Sequence, residues 1–199
     1  LKAPQTVPLC AIPGYQRKIR EEMPALRPDL GNDLSALRRE AIRILLQRAG
    51  EDPNLAEPAF EVFFEARQKV NFYEDAIPAL DFLKSKYPMV ALSNGNADIH
   101  KVGLGNYFVA AFNPISLGVG KPDPKMFHAG AEALGVLPEE VLHIGDDPHL
   151  DVLAAQRAGM QSVWVNREEK KWTHDTHPAP FTVEGLKELC RAWPVINSI

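Results

Sequence analysis

From Phe72 onward, short apolar runs alternate with amphipathic helical segments, and that alternation is the strongest constraint on how this chain folds. The runs at 89–92, 110–113, 141–144 and 162–165 are short, apolar and bounded by turn residues, so they read as strands. Residues 75–86, 99–106, 124–134, 150–158 and 183–193 read as helices, the first with Ile77, Leu80 and Leu83 on one face. Strands separated by helices cannot close into hairpins. They pair in parallel, and the helices cover both faces of the sheet. The expected fold class is α/β.

The stretch before that point has a different character. Residues 15–70 read as helical throughout. Asp33 is placed to cap a helix that runs to about Ala49 and stops at Gly50. Leu34, Leu37, Ala41, Ile44 and Leu45 recur at three- and four-residue steps and form one apolar stripe. A second helix covers 58–69, and Phe60, Phe63 and Phe64 on it read as core. Pro4, Pro8, Pro13 and Gly14 leave no period in residues 1–14, which read as an irregular leader. The expected organisation is a leader over 1–14, a helical unit over 15–70 and an α/β core over 71–199.

Composition excludes several classes. A chain of 199 residues that is 45% hydrophobic and 24% charged has the make-up of a soluble globular protein. A net charge of −4 argues against nucleic acid as a partner. No apolar run reaches the ~18 residues of a membrane span, so no membrane partner is expected. Cys10 and Cys190 have neither metal nor redox spacing and read as free thiols of a reducing compartment. The expected localisation is cytoplasmic. The chain opens on Leu1 rather than Met, which reads as processing or truncation.

In a parallel sheet, ligands sit beyond the carboxyl ends of the strands. Three segments here place polar groups at that edge: Ser93-Asn94-Gly95-Asn96, Gly120-Lys121-Pro122-Asp123-Pro124 and Gly145-Asp146-Asp147-Pro148-His149-Leu150-Asp151. Carboxylates gathered at a strand end repel unless a cation joins them, and a hard divalent ion, Mg²⁺, suits oxygen ligands. Asp146 is the better ligand candidate. Asp147 and Asp151 are candidates too, although either can instead cap the helix that follows. Pro122 and Pro124 fix the backbone around Lys121, so its ammonium can clamp a phosphate and offset the acids. Ser93 and the backbone of Asn94 offer donors to phosphate oxygens, although the same residues also make an ordinary turn. Among the histidines, His143 reads as packed core and His149 as a surface residue of the acidic loop. His100, His128, His174 and His177 show no ligand spacing.

Taken together and in this order, the three segments resemble the haloacid dehalogenase-like (HAD) hydrolase superfamily over about residues 72–196. Residues 15–70 resemble its helical cap insert. Ser93 matches the second motif of the family, Lys121 the third, and Asp146 with Asp151 the fourth. The wording Ser-Asn-Gly-Asn-Ala and His-Ile-Gly-Asp-Asp is similar to a bacterial branch that includes flavin mononucleotide and nucleotide phosphatases. The resemblance implies a Rossmann-like core with a helical cap. It also implies Mg²⁺-dependent hydrolysis of a small phosphorylated metabolite through an aspartyl-phosphate. Lys121 and Asp146 would then be catalytic, and Ser93, Asn94 and Lys121 would bind substrate. Asp146, Asp147 and Asp151 would serve the metal, and the cap would close over the substrate. One departure is plain. The family opens with a strand ending in Asp-x-Asp-x-Thr/Val, whose first Asp attacks phosphorus, and nothing before Ser93 matches it. Asp29 lies in Arg27-Pro28-Asp29-Leu30, which is not a strand end. Without that strand the chain is expected to be inactive. A non-catalytic phosphate-binding or protein-interaction module is the alternative reading. An exposed sheet edge would favour an oligomer.

Overall fold

The computed structural model describes residues 14–173 and 180–196. The leader, Cys10, His174 and His177 lie outside the described residues. The chain divides into two compact units. The first comprises residues 1–69 with 95–97, and the second 70–94 with 98–199.

Three helices build the first unit: α1 (Tyr15–Leu26), α2 (Leu34–Ala49) and α3 (Ala56–Gln68). Asp33 caps α2 through a 2.9 Å bond from the Ala36 N–H, and Gly50 ends it at a φ of +74°. Ile19 and Met23 of α1 pack against Leu37 and Ala41 of α2 to form the core of this unit. Phe60 is buried on α3. Asp29 sits on a 3₁₀ turn, and its carboxylate accepts two bonds from Arg27.

The second unit is α/β. Its elements run α4 (Ala76–Lys84), β1 (Val90–Leu92), β2 (Ala110–Phe112), α5 (Pro114–Leu117), α6 (Pro124–Leu134), β3 (Leu142–Gly145), α7 (Ala154–Arg157), β4 (Gln161–Val165), β5 (Phe181–Val183) and α8 (Leu186–Ile196). Every strand pair is parallel. One core cluster joins Met126, Phe127 and Ala131 of α6 to Ala154 and Ala155 of α7. The other joins Leu83 of α4 to Val163 and Val165 of β4 and Leu189 of α8. Apolar strands thus pack against helices in both clusters, as parallel pairing requires. Asp75 ties the unit across its sequence. Its carboxylate accepts from Arg167 at 2.8 and 3.0 Å and from the Leu186 N–H at the start of α8 at 2.8 Å.

Three elements differ from their expected form. Residues 99–106 are not a helix but a series of turns ending in a 3₁₀ turn, Gly105–Tyr107. Two glycines in three positions explain it. Gly103 adopts a φ of +85°, and Gly105 lies against the His100 ring, where a Cβ would stand 2.2 Å from Nδ1. The expected helix over 150–158 begins earlier, as a π-turn, Pro148–Leu153, that passes into α7. Both Asp151 and Val152 N–H donate to the Asp147 carbonyl, which widens the turn. Val183 ends strand β5 instead of opening a helix, and α8 starts after Gly185.

The strands form two sheets rather than one: β1–β2, and β3–β4–β5. A cavity of about 700 Å³ is lined by both β1 and β3. Ala79 and Leu83 of α4, Phe127 and Gly130 of α6, and Trp193 and Ile196 of α8 line it as well. Among the described residues, no helix is long and apolar enough to cross a membrane.

Candidate active site at the carboxyl ends of the strands

Asp151 organises the site. It lies in the π-turn after β3 and is only 5% exposed. Its Oδ1 accepts from the Lys121 ammonium and lies 3.3 Å from His143 Nε2, while its Oδ2 accepts from the Asp147 N–H at 3.1 Å. Burial by itself pushes the carboxyl up. The His143 hydrogen bond and the Lys121 charge outweigh burial and hold the group far below the usual carboxylate range.

Gly145 makes this approach possible. A Cβ there would stand 2.4 Å from Asp151 Cβ and 2.5 Å from Cγ. The glycine is required by close packing, because its φ lies outside the left-handed region. Strand alternation puts His143 and Gly145 on the same face of β3, the face that Asp151 meets.

Lys121 is held at its backbone by Asn94. The Lys121 N–H donates to Asn94 Oδ1 at 2.7 Å, and Asn94 Nδ2 donates to the Lys121 carbonyl at 2.7 Å. Gly120 allows that clamp, since a Cβ there would fall 2.8 Å from Asn94 Oδ1. The Lys121–Pro122 peptide is cis, and Asp123 caps α6 through the Lys125 N–H at 2.9 Å. Asn94 directly follows Ser93, which is exposed at the end of β1 and donates its N–H to the Phe112 carbonyl at 3.0 Å. A continuous chain of bonds therefore runs from the end of β1 through Asn94, Lys121 and Asp151 to the loop after β3.

The three acids of that loop have separate tasks. Asp147 caps the π-turn, accepting from the His149 and Leu150 N–H groups at 2.9 and 2.7 Å. Asp151 faces Lys121. Asp146 is exposed, and its main-chain carbonyl accepts the Trp164 indole N–H at 3.0 Å. Among the described residues, no three His, Cys, Asp or Glu side chains gather as a metal cage. The donors still fit Mg²⁺, which keeps most of its waters and takes one or two carboxylates alongside phosphate oxygens. Asp146 presents an exposed carboxylate directly after β3.

Two features escape a reading of the sequence alone. His143 is half-buried between Asp151 and the Phe127 ring, whose centroid lies 5.1 Å away, so it belongs to the site as well as to the packing. Its signal is the two-residue spacing to Gly145. The Asn94 side chain, which the sequence did not single out, bonds the Lys121 backbone. His128 Nε2 contacts the Ala158 carbonyl at 3.2 Å, and His100 packs at Gly105.

Residues 13–159 match the model of the haloacid dehalogenase-like hydrolase family. The chain belongs to that family. It is 34% identical over 158 residues to the phosphoserine phosphatase of Thermus thermophilus, a match covering 76% of this chain and 63% of that protein. It is 32% identical over 156 residues to the 5-amino-6-(5-phospho-D-ribitylamino)uracil phosphatase of Escherichia coli, covering 76% of this chain and 66% of that protein. The matches thus span just under two thirds of these relatives. Among solved structures, a 2-haloacid dehalogenase from Pseudomonas syringae pv. tomato is similar at a TM-score of 0.82 and 32% identity, covering 94% of this chain and 84% of that one. The HAD-like hydrolase family and its α/β Rossmann-like fold, expected from the motifs, are therefore established.

Proposed function

We propose that this chain carries the phosphate- and metal-handling half of a Mg²⁺-dependent phosphomonoester hydrolase acting on a small phosphorylated metabolite. The observation that carries the reading is the fixed ammonium of Lys121, clamped by Asn94 and paired with buried Asp151 beside exposed Asp146. Ser93 would donate to the transferring phosphoryl group. Lys121 would offset the charge that gathers on the phosphoryl oxygens, at no reorganisation cost because its position is already set. Asp146 would hold Mg²⁺, and Asp147 and Asp151 would keep its loop in place from behind. Bound Mg²⁺ would supply Lewis-acid stabilisation of phosphoryl charge. Two of the curated relatives reported above are phosphatases, which supports this reaction class.

The covalent step needs an attacking carboxylate. Glu140, Asp146 and Asp151 are the acids that line the cavity between β1 and β3, and Asp151 already faces Lys121. We therefore assign the nucleophile to a segment outside the described residues. The test is hydrolysis of p-nitrophenyl phosphate, with and without Mg²⁺, by this chain and by a form extended upstream. Mg²⁺-dependent turnover by the extended form alone is expected. No turnover by either form would overturn the proposal in favour of a phosphate-binding module. Chloride release from 2-chloropropionate without metal would overturn it in favour of dehalogenation.

A further inference from the structure

The peptide between Asp146 and Asp147 is gripped at both of its polar ends. Its carbonyl accepts the Trp164 indole N–H at 3.0 Å, and its N–H donates to Asp151 Oδ2 at 3.1 Å. This peptide is trans, so it is flat and its C=O and N–H point in opposite directions. Two bonds from opposite sides therefore fix the whole plane, and turning it over would break both. The residue before it is fixed as well, because Gly145 is the last β3 residue in the ladder, in register with Trp164 of β4. Asp146 stands between these two anchors. They set its Cα–Cβ direction, and only the side-chain torsions of its exposed carboxylate stay free.

Trp164 is itself held in place. It is 2% exposed, and a buried indole N–H needs an acceptor. The Trp172 ring lies against it, with 5.7 Å between centroids and 61° between planes. Trp172 is carried by the loop after β4, which Asn166 closes. The Lys170 N–H donates to Asn166 Oδ1 at 2.9 Å, and Asn166 Nδ2 donates to the Lys170 carbonyl at 2.8 Å. The Asn166 N–H donates in turn to the Val183 carbonyl of β5 at 2.7 Å. An apolar ring would fill most of the same space without the donor, so packing alone does not call for an indole here.

We propose that Trp164 is a positioning residue: its indole N–H sets the direction in which Asp146 presents its carboxylate to a divalent cation. This inference rests on the reading of Asp146 as the cation ligand, and it names the group that holds that ligand in place. Mg²⁺ demands near-ideal oxygen geometry, so a ligand whose backbone is already fixed binds it without first being ordered. Removing a group that orients a metal ligand typically costs about 10–100-fold in affinity.

The test is nuclear magnetic resonance of the whole chain titrated with MgCl₂ alone. The Trp164 indole proton and the Asp147 amide proton report the two ends of one peptide plane. Both are expected to shift together with a single midpoint, and Asp146→Asn should abolish the shift. Trp164→Phe should raise the Mg²⁺ midpoint read at the Asp147 amide about tenfold. It should also speed hydrogen exchange of that amide about tenfold while the Val163 amide of β4 keeps its rate, a pattern that general loosening would not give. Asp147 exchange within about twofold of the parent, or an equal midpoint, would overturn the positioning role. Should the variant fail to fold, the parent decides: an indole proton that stays still while the Asp147 amide shifts overturns it as well. Failure of the cation reading looks different. Either Asp146→Asn shifts like the parent or MgCl₂ moves neither proton. The role toward a cation then falls with that reading, and faster Asp147 exchange in Trp164→Phe leaves only the grip on the peptide standing.

Discussion

Gly145→Ala is the sharpest probe of how the site is built. The substitution adds one methyl group to β3. That carbon would stand 2.4 Å from Asp151 Cβ, 2.5 Å from Cγ and 2.7 Å from Oδ2. Carbon atoms pack at about 3.5–4.0 Å, so the overlap exceeds about 1 Å. Rotation cannot relieve it, because the first clash is with Cβ itself. Asp151 must therefore move, and its carboxylate is held by Lys121, His143 and the Asp147 N–H. Overpacking costs about 1–3 kcal/mol, and disrupting a buried ion pair costs about 3–5 kcal/mol. The gain from restricting the unfolded chain is only about 0.4–1 kcal/mol. A net loss of about 3 kcal/mol is expected in urea denaturation followed by tryptophan fluorescence. Gly130→Ala is the control. Its Cβ would meet nothing closer than Leu92 Cδ2 at 3.4 Å, so a helix-interior gain of about 0.5–1 kcal/mol is expected. A Gly145→Ala protein within about 0.5 kcal/mol of the parent would refute the close-approach reasoning.

Other outcomes follow from the same geometry. The Asp151 carboxyl is held low in the folded state, so it adds stability above its unfolded pKa of about 3.9, and that stability is lost as pH falls through the range below about 4. Urea midpoints at pH 6 and pH 3 should therefore differ more for the parent than for Asp151→Asn, and equal differences would contradict the assignment. Asn94→Ala removes both 2.7 Å bonds to the Lys121 backbone, and a loss of about 2 kcal/mol in urea melts is expected at about 1 kcal/mol per bond. Asp75→Ala removes the α8 cap and the Arg167 pair, and about 2 kcal/mol should be lost, with amide exchange speeding first at Leu186 and Lys187.

The sequence alone determined the α/β class, the parallel pairing and the family. Those follow from patterns local enough to read along the chain: apolar runs of strand length, helical spacing between them, and a hydroxyl, an amine and an acid each placed just after a strand. It also placed the cap of α2, since the Asp33 side chain bonds a backbone group three residues away. Tertiary structure decided how the polar groups are used. In the sequence Asp146, Asp147 and Asp151 all read as candidate metal ligands, yet one is exposed, one caps a turn and one is buried against Lys121. Lys121 meets Asp151 across 30 positions and Asn94 across 27, and no local period encodes either distance. The same holds for Gly145 and Gly120, whose missing side chains are explained only by what packs against them. The side chains that surround the cavity between β1 and β3 come from α4, α6 and α8, and that gathering is decided only in space.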